Sequence, residues 1–205
     1  MAIPWNPPTA LIIAAIVFVP LSFIAVPWSK GIIYVNYKNN SPHPFITVGI
    51  AAASVSLLVG AIKGPSLLEF NPIWIPAGIL AFVVWCLLLV ATPEFAKRTA
   101  MDITNAIAFL IILCVYAVGT YVTTNCALDN GPTHTFVATV IDKKISVGKD
   151  VTNYYIFIKS GGPLEDRKIS VEKDFYDATQ VNDPMYVRVK EGRWGCSWYY
   201  LTGNN

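Results

Sequence analysis

Residues Ile103–Val122 read ITNAIAFLIILCVYAVGTYV, and Thr135–Ile141, shortly after them, read TFVATVI. The first stretch runs twenty residues without a Lys, Arg, Asp, Glu or His. About 20 apolar residues cross about 30 Å of hydrocarbon, and only a helix satisfies the backbone on the way. The second stretch alternates with period two and puts Phe136, Ala138 and Val140 on one face, as in a half-buried strand. The chain therefore changes material near residue 125.

Toward the N-terminus, three more stretches free of ionisable residues run over 9–26, 45–62 and 73–91. Together with 103–122 they predict a membrane domain of four transmembrane helices over 1–125. The start, MAIPWNPP, has no basic residue and no small-x-small site precedes Trp28, so the first stretch is expected to stay as a helix rather than be cleaved. Pro20 predicts a kink in it.

The whole chain is 54% hydrophobic and 14% charged, against about 25% charged in an average soluble domain. The deficit is confined to the first part. Residues 1–125 hold Lys30, Lys38, Lys63, Lys97 and Arg98 against Glu69, Glu94 and Asp102, whereas 126–205 holds ten basic and ten acidic residues. A neutral soluble segment without a basic stripe argues against nucleic acid as a partner.

Loop charges set an orientation. Lys30 and Lys38 lie in the first loop, Lys97 and Arg98 in the third, only Lys63 in the second, and none in the N-terminal tail. Positive loops stay cytoplasmic. The reading is a multi-pass protein of the bacterial inner membrane, with both termini and the soluble segment in the periplasm and with membrane lipid as a partner. Cys86 and Cys114 fall mid-helix, as small apolar fillers. Cys126 and Cys196 flank the soluble segment, and an oxidising compartment would allow a disulfide between them. Two unrelated thiols are the alternative.

In the second stretch, Gly49, Ala52, Ala53, Ser56 and Gly60 form a small-residue stripe that permits close helix packing in lipid. Packing inside the bundle is the plainer reading; a dimer face is the other.

Beyond Cys126, alternation and turn signals give strands over 135–141, 153–159, 167–171, 184–190 and 195–201, with a short helix over 172–179. The order β-β-β-α-β-β suits a small closed barrel, OB-like or SH3-like. Here Phe175-Tyr176, Val181-Asn182-Asp183-Pro184, Val187-Arg188-Val189, Gly192-Arg193-Trp194-Gly195 and Trp198 form a pattern. It resembles extracytoplasmic barrel domains of bacterial membrane proteins, of the DUF3592 type. In those domains an aromatic helix residue precedes a V-G-D-x-V turn and a G-x-x-G-x-x-W hairpin closes the barrel. This sequence has Asn182 in place of the Gly and Pro184 directly after the Asp. The resemblance implies fold and compartment, not an activity.

Chemistry is sparse. His43 and His134 have no Cys or carboxylate at zinc spacing, and no P-loop, GxGxxG, GxSxG or HExxH occurs. No cofactor, metal or catalytic residue is expected. The spans carry no ionisable residue, which disfavours carriers and pumps. Arg193, Trp194, Trp198, Tyr199 and Tyr200 crowd the C-terminus, and alternation sends Trp198 and Tyr200 to one face and Tyr199 to the other. They are the candidate partner-binding residues; a seat on lipid headgroups is the alternative. The sequence thus points to a non-enzymatic membrane protein whose periplasmic domain binds a protein, as an accessory subunit of an envelope complex or a toxin-immunity protein. An oligomeric pore or transport component is the alternative, and a membrane enzyme the second.

Overall fold

The computed structural model describes residues 9–29, 46–64, 66–91, 100–149, 151–160, 163 and 166–202. Lys30, Lys38, His43, Lys97 and Arg98 lie outside the described residues. The chain forms two compact units, a helical one over 6–64 and 70–128 and a sheet one that includes 66–69 and 129–202.

The helical unit contains α1 (Thr9–Trp28), α2 (Thr47–Lys63), α3 (Trp74–Ala91), entered through a 3-10 turn at Asn71–Ile73, and α4 (Ala100–Ala127). Val19, Phe23, Ile50, Leu57, Leu88 and Leu113 build its core. The buried Ser22 and Ser54 hydroxyls are satisfied within their own helices: Ser22 donates to the Phe18 carbonyl at 2.7 Å and Ser54 to that of Ile50 at 2.8 Å. Tyr116 donates across the unit to the Ile16 carbonyl. Gly119 marks the tightest approach of α4 to α2, since a Cβ there would sit 2.8 Å from backbone atoms of Leu57 and Leu58.

The expected set of four spans is corrected here. Among the described residues two helices are long and apolar enough to cross a membrane, Asn71–Val90 and Thr104–Ala127, while Ile12–Val26 and Thr47–Ile62 are shorter apolar segments. The α2 helix begins only at Thr47 and ends at Lys63, which trims it below spanning length. The α3 helix is not a soluble-protein core helix, because Ile75, Phe82 and Val90 are 75%, 62% and 82% exposed. A row of large aliphatic and aromatic side chains left open in this way suits lipid.

The sheet unit holds β1 (Ser66–Leu67), β2 (His134–Val147), β3 (Thr152–Ser160), β4 (Arg167–Val171), α5 (Lys173–Ala178), β5 (Pro184–Lys190) and β6 (Trp198–Thr202). The strands form one antiparallel sheet in the order β1-β6-β5-β2-β3-β4. One face is packed: Ala138 and Val140 of β2, Ile156 and Ile158 of β3, and Met185 and Val187 of β5 are buried there. Phe175 and Tyr176 of α5 cover it.

The closed five-stranded barrel is also corrected. The sheet has a sixth strand, β1, contributed by the segment between α2 and α3, with Ser66 opposite Tyr199 and Leu67 opposite Trp198. It occupies the β6 edge that a closed barrel would have given to β4. Hence the sheet curls as a half-barrel without closing, and β4 remains an edge strand.

The β2 strand is longer than its alternation suggests. The register passes from Val140 opposite Ile158 to Asp142 opposite Phe157, so Ile141 is an extra residue. Such a bulge reverses which residues face inward. Lys143 therefore turns to the packed side, where its ammonium donates to the carbonyls of Tyr176 and Thr179 and lies 4.1 Å from the Tyr176 ring centre. One lysine thereby fixes the end of α5.

Candidate functional site

Strand alternation leaves the second face of the sheet uncovered by α5, and the register defines what lies on it. Lys144 stands opposite Tyr155, Lys168 opposite Phe157, Arg188 opposite Tyr200, and Lys190 opposite Trp198. These are four cross-strand pairs of a cation with an aromatic ring. Opposed side chains on one face lie about 5 Å apart at Cβ and interact. Lys168 also reaches diagonally, with its ammonium 3.6 Å from the Tyr155 ring centre. Cations held over ring faces are attracted by the ring quadrupole and given a fixed geometry. Val137 and Tyr186 face one another between these pairs and are 56% and 37% exposed.

Asp129, just past α4, anchors one corner of this face. Its carboxylate accepts from Trp198 Nε1 at 2.9 Å and from the backbone N–H groups of Gly192 and Gly131 at 3.0 and 2.8 Å. Its carbonyl accepts from Lys190 Nζ at 2.9 Å, and that ammonium lies 5.6 Å from the Trp198 ring centre. Burial pushes the Asp129 carboxyl up, but the three N–H donors and the Lys190 charge outweigh it and hold the group below the ordinary carboxylate range.

The sequence-derived binding residues separate. Tyr199 is buried in the packed core and Trp198 is buried in the Asp129 corner. Tyr200 is half-buried beside Trp198, with ring centres 5.7 Å apart, while Arg193 and Trp194 are exposed in the β5–β6 turn. Sequence reasoning missed Lys144, Lys168, Arg188 and Tyr155, because facing positions on separate strands have no signature in sequence spacing.

In α2, Gly49 packs so closely on α1 that a Cβ would meet the Phe18 ring at 2.9 Å, and Ala53 lies against the helical core. Ala52 and Ser56 are exposed, and Gly60 has open space around it. Cys126 and Cys196 are buried thiols. Cys196 lies 3.3 Å from the Glu69 carbonyl, and burial, followed by the Glu69 charge, pushes its thiol up.

No protein family, curated protein or solved structure matches the chain. The site is thus read from its own geometry. Among the described residues no three His, Cys, Asp or Glu side chains gather as metal ligands. Ordered aromatic rings alternating with cations offer contact area and charge, which is the chemistry of recognition.

Proposed function

We propose that the chain is a non-enzymatic membrane-anchored protein whose sheet unit binds a protein partner outside the cytoplasm, as an accessory subunit of an envelope complex or a toxin-immunity protein. The observation that carries this reading is the sheet face left open by α5, with three cation–aromatic pairs beside the corner of Lys190 and the buried Trp198. Tyr, Trp and Arg dominate the energetics of protein interfaces, since they bring large area at low entropy cost.

A multi-pass anchor in the bacterial inner membrane accounts for the apolar helices. The α3 and α4 helices act as a hairpin of two spans. The β1 strand, before α3, and β6, after α4, belong to one sheet, which supports a reading in which both ends of the hairpin emerge on the same side. Lys97 and Arg98 fall in the intervening loop, and the positive-inside rule assigns that loop to the cytoplasm. The sheet unit is then periplasmic, in keeping with the likeness of 175–198 to DUF3592-type domains. Cys126 and Cys196 stand as thiols in the structure, and a disulfide between them, formed on oxidation in that compartment, is read by peptide mapping without reductant.

Affinity purification of the full chain from native membranes in mild detergent, with mass spectrometry, tests the reading. A stoichiometric protein that stays bound through size exclusion is the expected result. A chain that elutes alone, and that conducts ions in liposomes, contradicts it.

A further inference from the structure

Residues 126–205 are neutral in sum, but folding separates their charges. The uncovered face carries five of the ten cations and, among its described residues, two carboxylates, Asp142 and, at its corner, Asp129. The far side is close to neutral, since Lys143, Arg167 and Lys173 lie there with three carboxylates. There α5 and its flank present Glu172, Asp174 and Asp177, all exposed, with Lys173 held by Asp177 at 3.0 Å. The unit thus concentrates positive charge on the uncovered face, and long-range steering follows such a local field rather than net charge.

We propose that the uncovered face docks an acidic segment of a protein partner, with carboxylates engaging Lys168 and Arg188 and the segment lying along the aromatic rows. This rests on the partner-binding reading above and adds the partner's chemistry. Charge complementarity selects the occupant: a face with five cations and two carboxylates repels a basic partner and attracts an acidic one. The seating of Lys168 over Tyr155 favours protein over lipid. Membrane-surface binding adds an apolar face of Trp, Phe or Leu pushed into the acyl boundary. Here Lys168 and Lys190 sit over rings, with Tyr200 opposite Arg188, in the arrangement of an interface hot spot.

The test uses the full chain in phosphatidylcholine nanodiscs and a short fluorescein-labelled peptide rich in Glu and Asp, read by fluorescence anisotropy. The peptide binds the wild type and is weakened by salt. The double variant Lys168→Glu with Arg188→Glu binds about tenfold more weakly or less tightly still, whereas Lys173→Glu on α5 leaves binding unchanged. Should the charge reversals unfold the unit, Lys168→Gln with Arg188→Gln, checked by its melting curve, weakens binding in the same direction. Peptide binding indifferent to these face variants overturns the proposal. So does face-dependent binding to phosphatidylglycerol vesicles or oligothymidylate without binding to the peptide. A native partner retained in full by the double variant overturns acidic docking while the partner-binding reading stands; absence of any partner from wild-type membranes removes that reading itself.

Discussion

The Arg167 guanidinium lies 5.9 Å from the ring centre of Tyr199, although three strands separate β4 from β6 in the sheet order. Only a strongly curled sheet brings these strands so close, and β1 on the β6 edge keeps them from pairing. A side-chain contact thus spans the open seam of the half-barrel. Exposed cation–π contacts contribute about 0.5–1 kcal/mol. Arg167→Ala is expected to destabilise the sheet unit by about 1 kcal/mol or less, and Tyr199→Ala, which empties a core site, by about 3–5 kcal/mol. Denaturant unfolding followed by tryptophan fluorescence separates the two.

Asp129 makes stability depend on acid. Its folded carboxyl titrates below the ordinary value, so its contribution is complete above about pH 4 and is lost as pH falls through the folded value. Asp129→Ala removes three hydrogen bonds to a charged acceptor and costs about 1–3 kcal/mol at neutral pH. Melting curves recorded from neutral to acid pH are expected to converge for wild type and variant at the acid end.

Lys143→Met keeps the length of the side chain but removes the donor to the Tyr176 and Thr179 carbonyls. Loss of a charged hydrogen-bonding partner costs about 1.5–3 kcal/mol. Amide hydrogen exchange in 173–179 is expected to speed up while that of β5 does not change.

Asn182 occupies the left-handed region at φ 73°, its N–H donating to the Val140 carbonyl at 2.8 Å. Asn tolerates this conformation, Gly adopts it freely, and Ala loses about 1 kcal/mol there. Asn182→Ala is expected to lower stability by about that amount and Asn182→Gly to leave it within a few tenths, as measured by thermal unfolding.

Local periodicity made several elements legible. The β4 and β5 strands run over 167–171 and 184–190 as their alternation predicts, and α5 lies within 172–179. The opposite facing of Trp198 and Tyr199 was likewise readable. The β1 strand was not, because two residues carry no period and their partner is more than a hundred positions away. The bulge at Ile141 hid the second half of β2, since Asp142-Lys143-Lys144 looks like a turn when the extra residue is unknown. Apolar composition marked all four helices of the first unit, but among the described residues only two hold an apolar stretch long enough to span, and α2 falls short because it begins only at Thr47. The cationic face escaped detection for a similar reason: its members become neighbours only through register.

Gly119 offers a test of the helical unit. Gly119→Leu drives a side chain into the α2 backbone at Leu57 and Leu58. Overpacking of this kind costs about 1–3 kcal/mol or more. A lower melting temperature in detergent is expected for Gly119→Leu, with Gly60→Ala, where space is open, unchanged.

Accessibility of single cysteines to a membrane-impermeant maleimide in intact cells tests the central claim, that one sheet is assembled from both ends of the α3–α4 hairpin on the outer side of the membrane. Glu69→Cys and Lys159→Cys, each in a background with Cys86 and Cys114 replaced by Ala, are both expected to label from outside, and Lys97→Cys only after permeabilisation. Labelling of positions 69 and 159 from opposite sides, or of neither from outside, would contradict the account.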